Sequence, residues 1–140
     1  MNILLAVDGS PYTKKMLAYL VTHNEIFNAS AQYTVLTVQP PLPPRARAAV
    51  GKDVVNNYHA EEAEKVMAPV RKFLDRHGLA AKTTWKVGAA GETIAKVGAE
   101  GRFDLIVMGS HGHSALAGLV LGSVATQVLA HCKVPVLLVR

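Results

Sequence analysis

Cysteine is almost absent from this chain. Cys132 is its single one, so no intrachain disulfide can form and nothing in the sequence asks for an oxidising compartment. Between a helical and a strand pattern, Cys132 reads as a buried, inert thiol. Aromatic residues are scarce as well, at 6%, so the core has to be aliphatic. Half of the residues are apolar, which supplies it. A chain of 140 residues is expected to be one domain, 1–140, and to bury roughly 70% of its unfolded surface without a metal or disulfide staple.

Long hydrophobic runs are missing. None approaches the ~20 residues that span a bilayer, so no membrane association is expected. The opening MNILLAVDGS lacks a basic n-region, and Asp8 closes its short apolar run, so it does not read as a secretory leader. The expected location is the cytoplasm. A basic stripe interleaved with aromatics is missing too. The net charge is +5, but its carriers (Lys14, Lys15, Arg45, Arg47, Arg71, Lys72, Lys82 and Lys86 among them) are scattered. Nucleic acid is therefore not an expected partner, while a mild positive field favours small anions.

What the sequence does have is a regular alternation. Residues 2–7 (NILLAV), stopped by Asp8-Gly9, read as a short buried strand. Ser10-Pro11 then opens a helix, with Ser at the N-cap and Pro at the first helical position, running to about Thr22. Residues 32–38 (QYTVLTV) form a β-branched second strand. The four prolines between 40 and 44 exclude helix or central strand for QPPLPPRARAAVGKD, which is expected to be a loop. Residues 54–77 carry a long helical pattern with Val55, Tyr58, Ala63, Val66, Val70, Phe73 and Leu74 on one face, a kink expected at Pro69 and a stop at Gly78. A polar-alternating edge strand at 82–87, a helix at 90–100, an apolar strand at 104–108, a helix at 120–131 and a last strand at 134–139 complete the chain. This β-α-β-α-β-α-β-α-β order implies an α/β fold, an open parallel sheet with helices on both faces. The first and fourth strands are the most apolar and the third the most polar, which fits a spatial order 3-2-1-4-5.

In such a sheet, ligands bind beyond the carboxyl ends of the strands, where the winding reverses. The first strand delivers Asp8 and Gly9 to that point. The fourth delivers GSHGHSALAGLVLGS, residues 109–123. Glycines there allow main-chain N–H groups to approach an anion, and Gly122-Ser123 stands at a helix start whose orphan N–H groups attract phosphate. Two better-known cradles are excluded. The turn after the first strand is DGSPYT, not G-x-G-x-x-G, and Gly51-Lys52 lacks the glycine and hydroxyl of a P-loop.

Asp8, Thr37-Val38 and the spacing Gly109-x2-Gly112-x9-Gly122-Ser123, continuing through VATQVLAHCKVPVLLVR, resemble the universal stress protein family over the whole chain. The resemblance implies a Rossmann-like domain, ATP binding in a subset of members, frequent dimers and roles in stress survival. By position it implies Asp8 and Val38 at the nucleoside, Met108 and Gly109 at the ribose, and Gly112, Gly122, Ser123 and Val124 at the phosphates, with His111 and His113 in the same loop. ATP, or ADP or AMP, is the implied ligand, with Mg²⁺ held through the phosphates and no dedicated metal cage. Binding members often carry Arg after the second glycine and a base before the third. Here His113 fills the first slot, and no Lys or Arg lies between Gly109 and Leu129. A neutral imidazole is a poorer phosphate partner than guanidinium, so binding is expected to be weak and to strengthen toward acid pH.

Other readings stand beside these. Asp8 can serve simply as a cap for the Ser10 turn. His111 and His113 lack a third ligand and do not make a metal site. Ser114 and Ser123 lack the neighbours of a nucleophile. His23, His59, His77 and His131 fall at or near solvent-facing helix positions and receive no role. The last strand, Val134 to Val139, is apolar on both faces yet lies at an edge, and no residue after Arg140 is at hand to cover it. Pairing with the same strand of a second copy, a homodimer, is the expected remedy. The expected function is a nucleotide-binding stress-response module. The alternatives are a non-nucleotide-binding interaction protein of the same fold and a slow ATPase. An adenylate-forming enzyme would need a different loop after the first strand than DGSPYT.

Overall fold

The computed structural model describes residues 1–113 and 118–140. Their element order is β1 (Asn2–Ala6), α1 (Pro11–Thr22), β2 (Gln32–Gln39), α2 (Pro44–Val50), α3 (Lys52–Arg76), β3 (Ala81–Val87), α4 (Ala90–Glu100), β4 (Leu105–Gly109), α5 (Ser123–His131) and β5 (Val136–Val139). The strands form one sheet in the order β3-β2-β1-β4-β5, as the apolar ranking of the strands implies. Every pairing is parallel, and the central register sets Ala6 beside Leu36 of β2 and Met108 of β4.

Alternation along β1 splits the core in two. Ile3, Leu5 and Val7 pack with Met16, Leu20, Met67 and Leu74 beneath α1 and α3. Leu4 and Ala6 pack with Ile94, Ile106 and Val128 beneath α4 and α5. The helices change face between β1 and β4 because right-handed crossovers that run in opposite directions must cover opposite faces. The crevice at that reversal is therefore a consequence of strand order.

The structure departs from the sequence reading in four places. The proline-rich segment is not wholly a loop, since residues 44–50 form α2 with Pro44 at its first turn. Prolines 40, 41 and 43 stay outside the helix. Pro44 occupies a position where the N–H would have no intrahelical partner anyway, so it opens the helix instead of breaking it. Element ends also shift by one to three residues, most at the starts of α5 and β5.

His59 is the third departure. It is buried, at 3% exposure, its ring 6.4 Å from that of Trp85, and its Nδ1 has no hydrogen-bond partner among the described residues. The buried positions of α3 are His59, Ala63, Met67, Val70 and Leu74. This inner stripe keeps the expected Ala63, Val70 and Leu74 but takes His59 and Met67 where Tyr58 and Val66 were expected, so Tyr58 turns outward and the imidazole inward. Fourth, Cys132 is only half-buried. The helix assignment of α3 continues through Pro69.

Candidate functional site

The end of β1 is built around one carboxylate. Asp8 Oδ1 accepts hydrogen bonds from the Ser10 N–H at 2.9 Å and from Thr13 Oγ1 at 3.1 Å. Thr13 Oγ1 in turn accepts the Asp8 N–H at 3.2 Å. This closed turn holds the start of α1, with Gly9 at φ +77° supplying the bend. Ser10 occupies the N-cap position as its Ser-Pro signature predicts, but its hydroxyl caps nothing and is buried without a partner. Asp8 fixes the chain just ahead of the helix instead, holding the Ser10 N–H in an Asx turn.

The loop after β4 closes onto this turn. A Cβ on Gly112 would stand 2.7 Å from Asp8 Oδ2, so no side chain fits there while the carboxylate keeps its place. One residue on, His113 Nε2 lies 2.7 Å from the Asp8 carbonyl oxygen. A carbonyl only accepts, so Nε2 carries the hydrogen and Nδ1 is the nitrogen left over. On the other side, Gly109 lies so close to α1 that a Cβ would meet Tyr12 Cβ at 2.6 Å.

Ser110, which the sequence reading did not single out, ties the loop's two ends together. Its N–H donates to Val139 at 2.9 Å, and its carbonyl accepts the Gly122 N–H at 2.7 Å. Its hydroxyl donates to His111 Nδ1 at 2.8 Å, while His111 Nε2 donates to the Leu119 carbonyl at 2.9 Å. Both nitrogens of His111 are thus committed within the chain, leaving its main chain as the part a ligand can use. A serine between two glycine-adjacent positions gives no pattern in sequence, and its role follows only from the β4–β5 register.

Gly122 is the N-cap of α5, extended at φ −75°, ψ 164°, with no side-chain cap. Its carbonyl accepts from the Thr126 N–H at 3.0 Å and from Thr126 Oγ1 at 2.9 Å. Among the described residues, the N–H groups of Ser123, Val124 and Ala125 find no backbone partner outside the helix. They are the usual orphans of a helix start, at its positive end. Val38 follows the last β1–β2 pairing by two residues, level with Asp8. Met108 is buried in the core under α4 and α5, so only its backbone faces the strand ends.

Asp8, Gly112 and His113 are therefore in mutual contact, Gly109, His111 and Gly122 surround Ser110, and Ser123 and Val124 open α5. Ser114 lies outside the described residues. No group of three or more metal-ligating side chains occurs among the described residues, and the two loop histidines point their Nε2 atoms at different carbonyls.

A scan against family models matches residues 1–140 to the universal stress protein family. The chain belongs to the universal stress protein family. It is 32% identical over 140 residues to the universal stress protein Slr1230 of Synechocystis, covering 99% of this chain but 42% of that relative. It is 36% identical over 86 residues to the universal stress protein MJ0577 of Methanocaldococcus jannaschii, 61% of this chain and 53% of that one. The chain thus spans about half the length, or less, of these two relatives over the matched regions. The solved structure of MJ0577 superposes with a TM-score of 0.81 at 28% identity, covering 99% and 94% of the two chains. A universal stress protein solved in complex with cAMP superposes at 0.66 with 25% identity, covering 100% and 97%. Family members with dAMP, from Archaeoglobus fulgidus, and with AMP, from Arabidopsis thaliana, share the fold at 20% and 14% identity. Adenine nucleotides thus occupy several structures of this fold. No helix among the described residues is long and apolar enough to cross a membrane.

Proposed function

We propose that this universal stress protein binds an adenine nucleotide beyond the carboxyl ends of β1 and β4 and acts as a nucleotide-dependent stress-response module. The observation that carries the reading is the uncapped start of α5, tied by the Gly122–Ser110 hydrogen bond to the loop whose Gly112 abuts Asp8. Orphan N–H groups at the positive end of a helix suit phosphate oxygens, and the exposed Ser123 hydroxyl adds a donor. Val38, Asp8 and the Met108–Gly109 backbone would border the nucleoside. Gly112, Gly122, Ser123 and Val124 would line the phosphates. Mg²⁺ would be held by the phosphates themselves. Hydrolysis would be slow, because Asp8 Oδ1 is committed to the α1 turn and no Lys or Arg lies between residues 109 and 129.

Native mass spectrometry of the purified protein tests this for a retained nucleotide, followed by thermal shift with Mg-ATP, ADP and AMP. At 100 times its dissociation constant, a ligand adds about 2.7 kcal/mol, or roughly 8 °C in Tm for a chain of this size. Absence of both a retained nucleotide and any shift overturns the reading. That outcome favours the second one, an interaction protein without nucleotide. The commitment of both His111 nitrogens and of His113 Nε2 to main-chain or neighbouring groups supports this alternative. On either reading β5 is a sheet edge with Val136, Leu137 and Leu138 only half-buried. Pairing of Val134 to Val139 with a second copy would cover them, and light scattering on the purified protein reads it out as a dimer.

A further inference from the structure

On the face of the sheet away from α5, a cavity of ≈ 600 Å³ lies between α1 and α3, within the size range of small-molecule sites. Of the residues assigned above to the nucleotide, only Asp8 and His113 reach it. Its floor is apolar, formed by Leu17 of α1 and Val66, Val70 and Phe73 of α3. Pro69 also lines it. Having no N–H, Pro69 deprives the Lys65 carbonyl of its usual donor four residues on.

The ionic groups of this cavity sort into one satisfied pair and two unpaired charges. Lys65 Nζ meets Glu62 Oε1 at 3.1 Å, and that hydrogen bond raises the lysine above its ordinary value, so the pair stays charged and self-compensated. The other two are Asp8 and Lys14, of opposite sign. Neither has an ion-pair partner among the described residues. Oδ1 of Asp8 is spent on the α1 turn, but among the described residues Oδ2 accepts no hydrogen bond. An apolar floor flanked by one free carboxylate and one free ammonium matches best a ligand that carries both charges on an apolar body.

The geometry points to a second ligand site here, for a small zwitterion with an apolar body, of the chemistry of an apolar α-amino acid. The ligand's ammonium sits on Asp8 Oδ2, its carboxylate on the Lys14 ammonium, and its side chain on Leu17, Val70 and Phe73. This site shares Asp8 and His113 with the nucleotide reading but needs no nucleotide to form, so its test is run without nucleotide.

Amide shifts of the ¹⁵N-labelled protein are followed during titration with L-phenylalanine, with phenethylamine, which lacks the carboxylate, and with 3-phenylpropionate, which lacks the ammonium. A dissociation constant on the order of a millimolar is expected for L-phenylalanine, given its few non-hydrogen atoms. The shifts should fall on Leu17, Val66 and Val70, and each analogue should bind at least about fivefold more weakly. Lys14 is exposed, so Lys14→Met keeps the fold and should bring L-phenylalanine down to the level of phenethylamine. Val70→Trp, if it folds, should fill the cavity and abolish the shifts. Equal binding by either analogue, shifts that map elsewhere, retention of L-phenylalanine affinity in Lys14→Met, or no shifts at all overturns the assignment. A retained nucleotide in native mass spectrometry speaks to the other site alone, so the two can fail separately.

Discussion

The segment after β4 and the segment after β2 leave the same carboxyl end of the sheet, and they are built in opposite ways. The first is stitched down. Gly112 abuts Asp8, His113 and His111 each reach a carbonyl, and Ser110 holds Gly122. The second stands free. No residue of α2 is buried, residues 52–58 at the start of α3 are exposed apart from half-buried Val55, and a Cβ on Gly51 would meet nothing within 4 Å. Both are rich in residues that interrupt regular structure, so composition does not distinguish them. Glycine there removes atoms where two backbones must meet, whereas proline stiffens a segment that rests only on the exposed start of α3.

The largest break in this contrast is expected from Gly109→Ala. Its Cβ would fall 2.6 Å from Tyr12 Cβ and 3.2 Å from the His111 carbonyl, and backbone on two sides leaves little room to relax. Overpacking of this kind costs about 1–3 kcal/mol, or roughly 3–9 °C in Tm by calorimetry. A loss below about 1 °C would mean that α1 is not seated on β4 as described.

The next test separates two hydroxyls in one turn. Thr13→Val removes the group that serves both the Asp8 N–H and its carboxylate, at a cost of about 1–2 kcal/mol. Ser10→Ala should be neutral or slightly stabilising, because its buried Oγ has no partner to lose. An ordinary N-cap serine would cost about 1 kcal/mol. Urea unfolding of the two variants decides the matter, and a destabilised Ser10→Ala would return the cap to serine.

That pair also shows where the sequence was legible. Strand order followed from the relative polarity of five short runs, and the position of the glycine loop followed from strand order. The start of α1 was readable from Ser10-Pro11, but not which side chain fixes the turn ahead of it, because Asp8, Ser10 and Thr13 all carry suitable oxygens. Ala63, Val70 and Leu74 of α3 fall where expected, but its N-terminal half misled, since Tyr58 and His59 are both amphipathic neighbours and a helical period alone does not say which of them turns inward. The proline run misled for a local reason: a proline at a helix start does not oppose helix, and the reading treated all four alike. Contacts such as Ser110 with Gly122 depend on β4–β5 register and have no signature in a single chain.

A smaller effect is expected from His113. Its Nε2–H is held by the Asp8 carbonyl, so in the neutral ring Nδ1 offers only a lone pair to a phosphate. The ring therefore has no hydrogen to give a phosphate, and His113→Ala should leave nucleotide affinity within about threefold of the parent. Isothermal titration of the two proteins decides it. A loss of tenfold or more would mean that the imidazole donates to the ligand directly and releases the Asp8 carbonyl.

The smallest effect should come from the free-standing segment. Gly51 has φ 84° and ψ 164°, a region close to glycine-only, where another residue costs about 1–3 kcal/mol if its surroundings hold it in place. Among the described residues no buried side chain of α2 does so. In Gly51→Ala, α2 can swing until the strain is relieved, because it carries no buried residue that must stay in register. The global Tm should fall by less than about 1 °C, in line with surface substitutions away from packed features, while amide exchange across residues 44–58 accelerates. A fall as large as that of Gly109→Ala would carry a different meaning. Contacts absent from a single chain would then be fixing this arm, and the exposed Val50, Val54 and Tyr58 would be the side chains to examine for a second copy.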